Sequence, residues 1–148
     1  MVFPIGDDHI KGRFKPIVSY SLIVLNVLCY VWQNTDPTGQ LFVEEYGCIP
    51  AEISRGVDLH TLFSNMFMHG GFMHLLGNMM FLWVFADNIE AVVGNGRFLL
   101  FYLIGGLAAS AAQILLNVDS PVPCVGASGA IAAVMGAYMV MYPKSRIL

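Results

Sequence analysis

Charge is what this sequence has least of. Its 148 residues hold seven Lys or Arg and ten Asp or Glu, so 11% are charged against 57% hydrophobic. Mean hydropathy is +0.67. A soluble domain carries about 25% charged and about 45–50% apolar residues. That excludes an ordinary soluble domain and indicates an integral, multi-pass membrane protein, one unit at most over residues 1–148. The formal net charge is -3 and no basic run is present, so nothing points to nucleic acid as a partner. Cysteine is scarce too. Three residues at irregular spacing make no disulfide framework. Cys29 falls mid-membrane, while Cys48 and Cys124 fall on one side and leave a single bridge open. Repeats and low-complexity tracts are absent. Histidine stops early: His9, His60, His69 and His74 are the four, and none follows His74.

Long apolar runs are what the sequence does have. Four stand out, Ile17–Trp32, Phe72–Phe85 with its flanks, Phe98–Leu116 and Ala127–Tyr142. The third reaches the roughly 20 residues a spanning helix needs, and the others lie within or just below the usual range. The first is no signal peptide. A charged head precedes it, and Gln33-Asn34-Thr35-Asp36 is not a small-residue cleavage site. Basic residues set the orientation. With the N-terminus in the cytoplasm, Lys11, Arg13, Lys15, Arg97, Lys144 and Arg146 all lie inside, and only Arg55 lies outside. The expected location is the plasma (inner) membrane. Gln33 to Gly71 then forms a large outer loop. Its apolar residues, among them Leu41, Phe42, Tyr46 and Phe63, predict short amphipathic helices lying in the membrane interface.

Polar residues inside apolar segments mark function by default. Two groups qualify. Ser128 opens the fourth stretch in the run Val125-Gly126-Ala127-Ser128-Gly129. His69, His74 and Asn78 open the second. Ser128 to Lys144 is 16 residues, about 24 Å of helix, and His74 to Glu90 has the same length. With Lys144 and Glu90 both near the inner boundary, Ser128 and His74 reach one depth, several Å below the outer surface. His74 and Asn78 are four apart and share a helix face. Both can donate hydrogen bonds, and Ser128 adds the free N–H groups of a helix start. These are the parts of an oxyanion hole beside a candidate nucleophile. Duller readings stand beside this one. Serine in membrane helices commonly bonds back to its own turn. His and Asn on one face can be interhelical glue, and Gly126, Gly129, Ala133, Gly136 and Ala137 form a close-packing face. A metal site is disfavoured: His69 and His74 are five apart, with no glutamate base between them. No cofactor is indicated.

His69-Gly70-Gly71-Phe72-Met73-His74-Leu75-Leu76-Gly77-Asn78, the stretch from Phe85-Ala86-Asp87-Asn88-Ile89-Glu90 to Gly94-Asn95-Gly96-Arg97-Phe98, and Gly126-Ala127-Ser128-Gly129-Ala130 occur in that order. Together they resemble the second-helix motif, the following turn and the nucleophile motif of the rhomboid intramembrane serine proteases. The resemblance implies an all-α polytopic bundle with four transmembrane helices here and a large interfacial outer loop. It implies that Ser128 attacks the scissile carbonyl of a membrane-spanning protein near the outer surface. His74, Asn78 and the Ser128 N–H would hold the oxyanion. It further implies that His69 braces the outer loop, that Glu90 and Arg97 are structural, and that the partners are transmembrane substrates and the bilayer.

The departures from the family are equally specific. Rhomboids have six core helices and a general-base histidine on the sixth, whereas this chain holds four apolar stretches and no late histidine. The family's Trp-Arg pair in the outer loop is absent, with His60-Thr61 near its place. The expectation is an N-terminal portion of a protease, inactive alone because a serine hydroxyl without a base is a poor nucleophile. Its Gly129-Ala133-Gly136 line should then lack a helix partner. The alternative is a non-catalytic rhomboid-like protein that binds transmembrane clients. Oligomeric state is left open.

Overall fold

The computed structural model describes residues 13–38 and 40–145. His9, Lys11 and Arg146 lie outside the described residues. Seven α-helices occur among those described: α1 (Ile17–Gln33), α2 (Leu41–Tyr46), α3 (Pro50–Ile53), α4 (Thr61–Ser64), α5 (Phe72–Val93), α6 (Asn95–Leu116) and α7 (Ser128–Met141), with a 3-10 turn over Asn65–Phe67 after α4. The outer loop is the run of short helices α2 to α4, as its apolar content predicts. Only α5 and α6 are long and apolar enough to cross a membrane by themselves; α1 and α7 are shorter apolar helices. Helix α7, with 14 residues, is about 21 Å long against a hydrocarbon core of about 30 Å. It therefore starts below one surface or ends above the other.

The helices run up and down: α1 and α6 point one way, and α5 and α7 the other. The start of α1 meets the end of α5, where Val18 and Ser19 donate to Glu90. The start of α7 meets the start of α5, where Gly126 lies against His74. Two levels result, a Glu90 end and a His74 end. Arg13, Lys15, Arg97 and Lys144 belong to the Glu90 end, with Arg55 alone at the other. The turn between α5 and α6 is tighter than the sequence suggests. Phe85 to Glu90 reads as polar turn, yet α5 continues through it to Val93. Gly94 alone, at φ +90°, reverses the chain and packs its α-carbon on the Phe14 ring. The helix persists because the polar groups there are bonded inside the protein rather than to water.

The core forms where α5, α6 and α7 meet. Leu82, Phe98, Tyr102, Val134 and Tyr138 are fully buried, and Phe85 meets Tyr138 edge-on at 4.9 Å between ring centres. Outward-facing positions are just as apolar: Ile17, Val24 and Leu28 on α1, and Leu100, Ile104 and Leu115 on α6, are all exposed. A bundle apolar on both sides suits hydrocarbon rather than water. Helices α6 and α7 touch through small residues. A Cβ on Gly105 would lie 2.6 Å from the Ala133 Cβ, and one on Gly129 would strike Ala109. The expectation of an unpartnered Gly129-Ala133-Gly136 line is thus corrected. Gly129 and Ala133 are covered by α6, since two small-residue stripes bring the backbones together. Only Gly136 faces open space.

Candidate active site

Ser128 is the first residue of α7 and is exposed. The first backbone bond of that helix is from Ile131 N–H to the Ala127 carbonyl, 2.9 Å. The N–H groups of Ser128, Gly129 and Ala130 therefore have no intrahelical acceptor. Ser128 lines a cavity of about 430 Å³ between α6, α7 and the outer loop, with Asn65, Ser110 and Gln113 as its polar walls. Gly126 precedes the serine by two residues at φ +119°, a conformation open to glycine and strained for other residues. A Cβ there would lie 2.8 Å from His74 Cε1 and Nε2 and 3.4 Å from Asn78 Nδ2. The structure thus brings the Gly126–Ser128 segment onto the shared face of His74 and Asn78, with Gly126 held against both.

The donors are oriented. Gly70 N–H approaches His74 Nδ1 at 3.4 Å. An accepting Nδ1 in a neutral ring leaves the proton on Nε2, the nitrogen beside Gly126. Asn78 is buried, and its Nδ2 has no partner among the described residues. A buried amide donor left unpaired is costly, and this one lies behind Gly126, which itself lines the Ser128 cavity.

His69 sits behind His74, edge to face with ring centres 5.3 Å apart. It is fully buried, with Nδ1 3.3 Å from the Phe67 carbonyl and Nε2 unpartnered. Burial, then the nearby His74, pushes its pKa down to about 4, so the ring is neutral at pH 7. Gln33, the last residue of α1, grips the His69 backbone on both sides. Its Nε2 donates to the His69 carbonyl at 2.6 Å and its Oε1 accepts the His69 N–H at 3.1 Å.

Two further residues escaped the sequence reading. Gln33 was read as loop. Asn65 is buried, and its carbonyl accepts the Gly126 N–H at 2.8 Å. Its Nδ2 donates to the carbonyls of Thr61 and Leu62, and its Oδ1 accepts from Ser110 Oγ at 3.4 Å. One side chain thus ties the outer loop to α6, and its backbone positions the glycine of the site. The available signal was an amide inside the apolar run from Leu62 to Phe67. At His60-Thr61, the His60 ring packs edge-on to Tyr46, while Thr61 is buried and donates to the Asp58 carbonyl.

Glu90 and Arg97 lie at the opposite end. Glu90 is fully buried, and its two oxygens accept from Val18 N, Ser19 N, Ser19 Oγ and Asn95 Nδ2 at 2.6–2.8 Å. It caps the start of α1 from another helix, where a carboxylate is favoured by the free N–H groups and the helix dipole. Arg97 is exposed and borders a surface hollow shared with Arg13 and Phe14.

The family model described as Rhomboid domain matches residues 57–148. The chain belongs to the rhomboid family. Relatives include Rhomboid protease GluP of Bacillus subtilis (strain 168), 31% identical over 134 residues, which is 89% of this chain and 26% of the relative. Rhomboid protein 1, mitochondrial, of Saccharomyces cerevisiae is 27% identical over 95% of this chain and 40% of its own length. Presenilin-associated rhomboid-like protein A, mitochondrial, of Danio rerio is 25% identical over 85% and 33% respectively. This rhomboid chain spans less than half the length of these three relatives. Family membership, together with the apolar helices, makes it a membrane protein.

Proposed function

We propose that this rhomboid is an intramembrane serine endopeptidase that cleaves membrane-spanning proteins near the outer surface. In this reading Ser128 Oγ attacks the scissile carbonyl. The Ser128 N–H, His74 Nε2–H and Asn78 Nδ2 receive the negative oxygen of the tetrahedral intermediate. Fixed donors aimed at developing charge are worth most in a water-poor site. The observation that carries the reading is the contact of Gly126 with both His74 and Asn78, which sets the nucleophile loop on two side-chain donors, one of them buried and unpartnered.

The proton of Ser128 needs an acceptor. His74 serves as a donor to the oxyanion, and no histidine follows it in the 148 residues. On this reading the base is not one of the four histidines of these residues. We further propose that the N-terminus is cytoplasmic, which gathers Arg13, Lys15, Arg97 and Lys144 on the cytoplasmic side.

The test reconstitutes the full-length protein in liposomes with a labelled single-span substrate. Cleavage is expected, with its loss in Ser128→Ala. The 148 residues alone should give none, because a triad lacking one member retains only about 10³–10⁴-fold over water. Binding of the substrate without cleavage, unchanged in Ser128→Ala, would favour the non-catalytic, client-binding reading.

A further inference from the structure

Cys48 and Cys124 sit directly opposite each other in an isolated antiparallel bridge. Cys48 N–H donates to the Cys124 carbonyl at 2.9 Å, and Cys124 N–H returns the bond at 2.8 Å. Both thiols are free. The bridge joins the loop between α2 and α3 to the loop that carries Gly126 and Ser128. It is tightly built: a Cβ on Gly47 would lie 3.0 Å from Pro123 Cβ and 3.1 Å from Val125 Cγ1. Opposed residues in such a pair point to the same side, with Cβ atoms about 4.5–5.5 Å apart. A disulfide needs about 3.5–4.5 Å. The thiols are therefore within reach after the two backbones draw together by about 1 Å.

We infer that Cys48 and Cys124 form a reversible disulfide that pins the outer loop to the Ser128 loop and shifts Gly126 against His74. The pairing stands on the bridge alone and is independent of the proposed proteolysis. Both thiols are free in the folded chain, so a link made by thiol–disulfide exchange is unmade by the same exchange with a reductant. The coupling follows from the chain, since Gly126 is two residues beyond Cys124 and its Cα is held close to the His74 ring.

The oxidant is a disulfide-exchange reagent, either a small-molecule disulfide or a protein dithiol oxidase. Cys124, the more exposed of the two, loses its proton and attacks one oxidant sulfur. That step forms a mixed disulfide and expels one thiolate. Cys48, deprotonated in turn, attacks the Cys124 sulfur and expels the second thiolate. The two cysteine protons pass to the two thiolates released, and the oxidant is reduced by two electrons. Burial raises both thiol pKa values, that of Cys48 to about 11. At neutral pH both groups are therefore mainly protonated thiols, and exchange speeds up as pH rises.

The experiment treats the full-length protein in detergent with oxidised glutathione at mildly alkaline pH, then alkylates and maps it by mass spectrometry. The expected product is a single intrachain link with a mass loss of two hydrogens. Cys48 and Cys124 should be protected from alkylation, and a thiol reductant should restore both. The His74 ring nitrogen resonances should shift on oxidation. Cys124→Ser should show neither change, and if that variant fails to fold, the wild-type map alone decides. Full alkylation of both cysteines, or a link through Cys29 or between chains, overturns the pairing. A formed link with unmoved His74 resonances overturns the coupling.

Discussion

Helix α5 carries a polar cluster at each end, and the two are built on opposite plans. At one end the Glu90 carboxylate is buried with both oxygens engaged, by two backbone N–H groups, a hydroxyl and an amide. At the other end Asn78 Nδ2 and His69 Nε2 are buried without a partner among the described residues. A satisfied cluster has nothing left to offer a ligand, so it holds helices together. An unsatisfied cluster lowers stability and keeps donors free. The difference separates a residue that builds the fold from one left free to bond something else, although Glu90 and Asn78 are both polar residues in one apolar helix.

The contrast can be broken most forcefully at Glu90. Glu90→Ala strands the Val18 and Ser19 N–H groups at the start of α1, while Asn95 Nδ2 keeps the Lys15 carbonyl. Each buried donor left unsatisfied costs about 1–3 kcal/mol. Denaturant titration in detergent should show a loss of that size, and a variant as stable as wild type would remove Glu90 from its role as cap.

His69 makes the next test, through pH. Its pKa is about 4 when folded and about 6.5 when unfolded. Between these values the unfolded chain binds the extra proton. The stability is fully present above about pH 6.5 and is lost as pH falls towards 4, up to about 3 kcal/mol in all. Unfolding free energies measured from pH 7 to 4 should follow that slope, and His69→Gln should flatten it.

Gly126→Ala should have a smaller effect on stability. An alanine at φ +119° is strained by about 1–3 kcal/mol, and its Cβ would press on the His74 ring. Loss of cleavage in the full-length protein should accompany a modest drop in unfolding midpoint. Undiminished cleavage would show that the Gly126–His74 contact does not matter to the chemistry.

The sharpest dissociation is expected at Asn78. No hydrogen bond of its Nδ2 is lost in Asn78→Ala, so stability should change by under about 1 kcal/mol. Cleavage should fall by about 10²–10³-fold, the effect of removing one oxyanion donor. A large loss of stability with little loss of rate would make Asn78 a packing residue.

Much of the architecture could be read from the chain. The four apolar runs became α1, α5, α6 and α7 with ends within a few residues, except at the second. There the apolar run ends at Phe85, while the helix goes on through Asp87, Asn88 and Glu90 to Val93. They are helical because their partners, Ser19 and Asn95 for Glu90, lie on other segments. The candidate site was legible in part. His74 and Asn78 share a face by helical spacing, and Ser128 opens its helix as expected. The link between them through Gly126, and the support from Asn65 and Gln33, could not be read, because each is a contact between residues distant in sequence.

The sequence by itself determined the solvent of this protein, its helices, its outer-loop character and the residue types of its polar clusters. Those properties depend on composition and on periods of a few residues, which one-dimensional order fully contains. Only the tertiary structure decided which cluster is satisfied. Glu90 meets Ser19 across 71 positions and Asn95 Nδ2 reaches the Lys15 carbonyl across 80, while Asn78 Nδ2 faces Gly126 and finds no hydrogen-bond partner among the described residues. Whether a buried polar group has a partner is a property of packing, fixed when the helices close on one another.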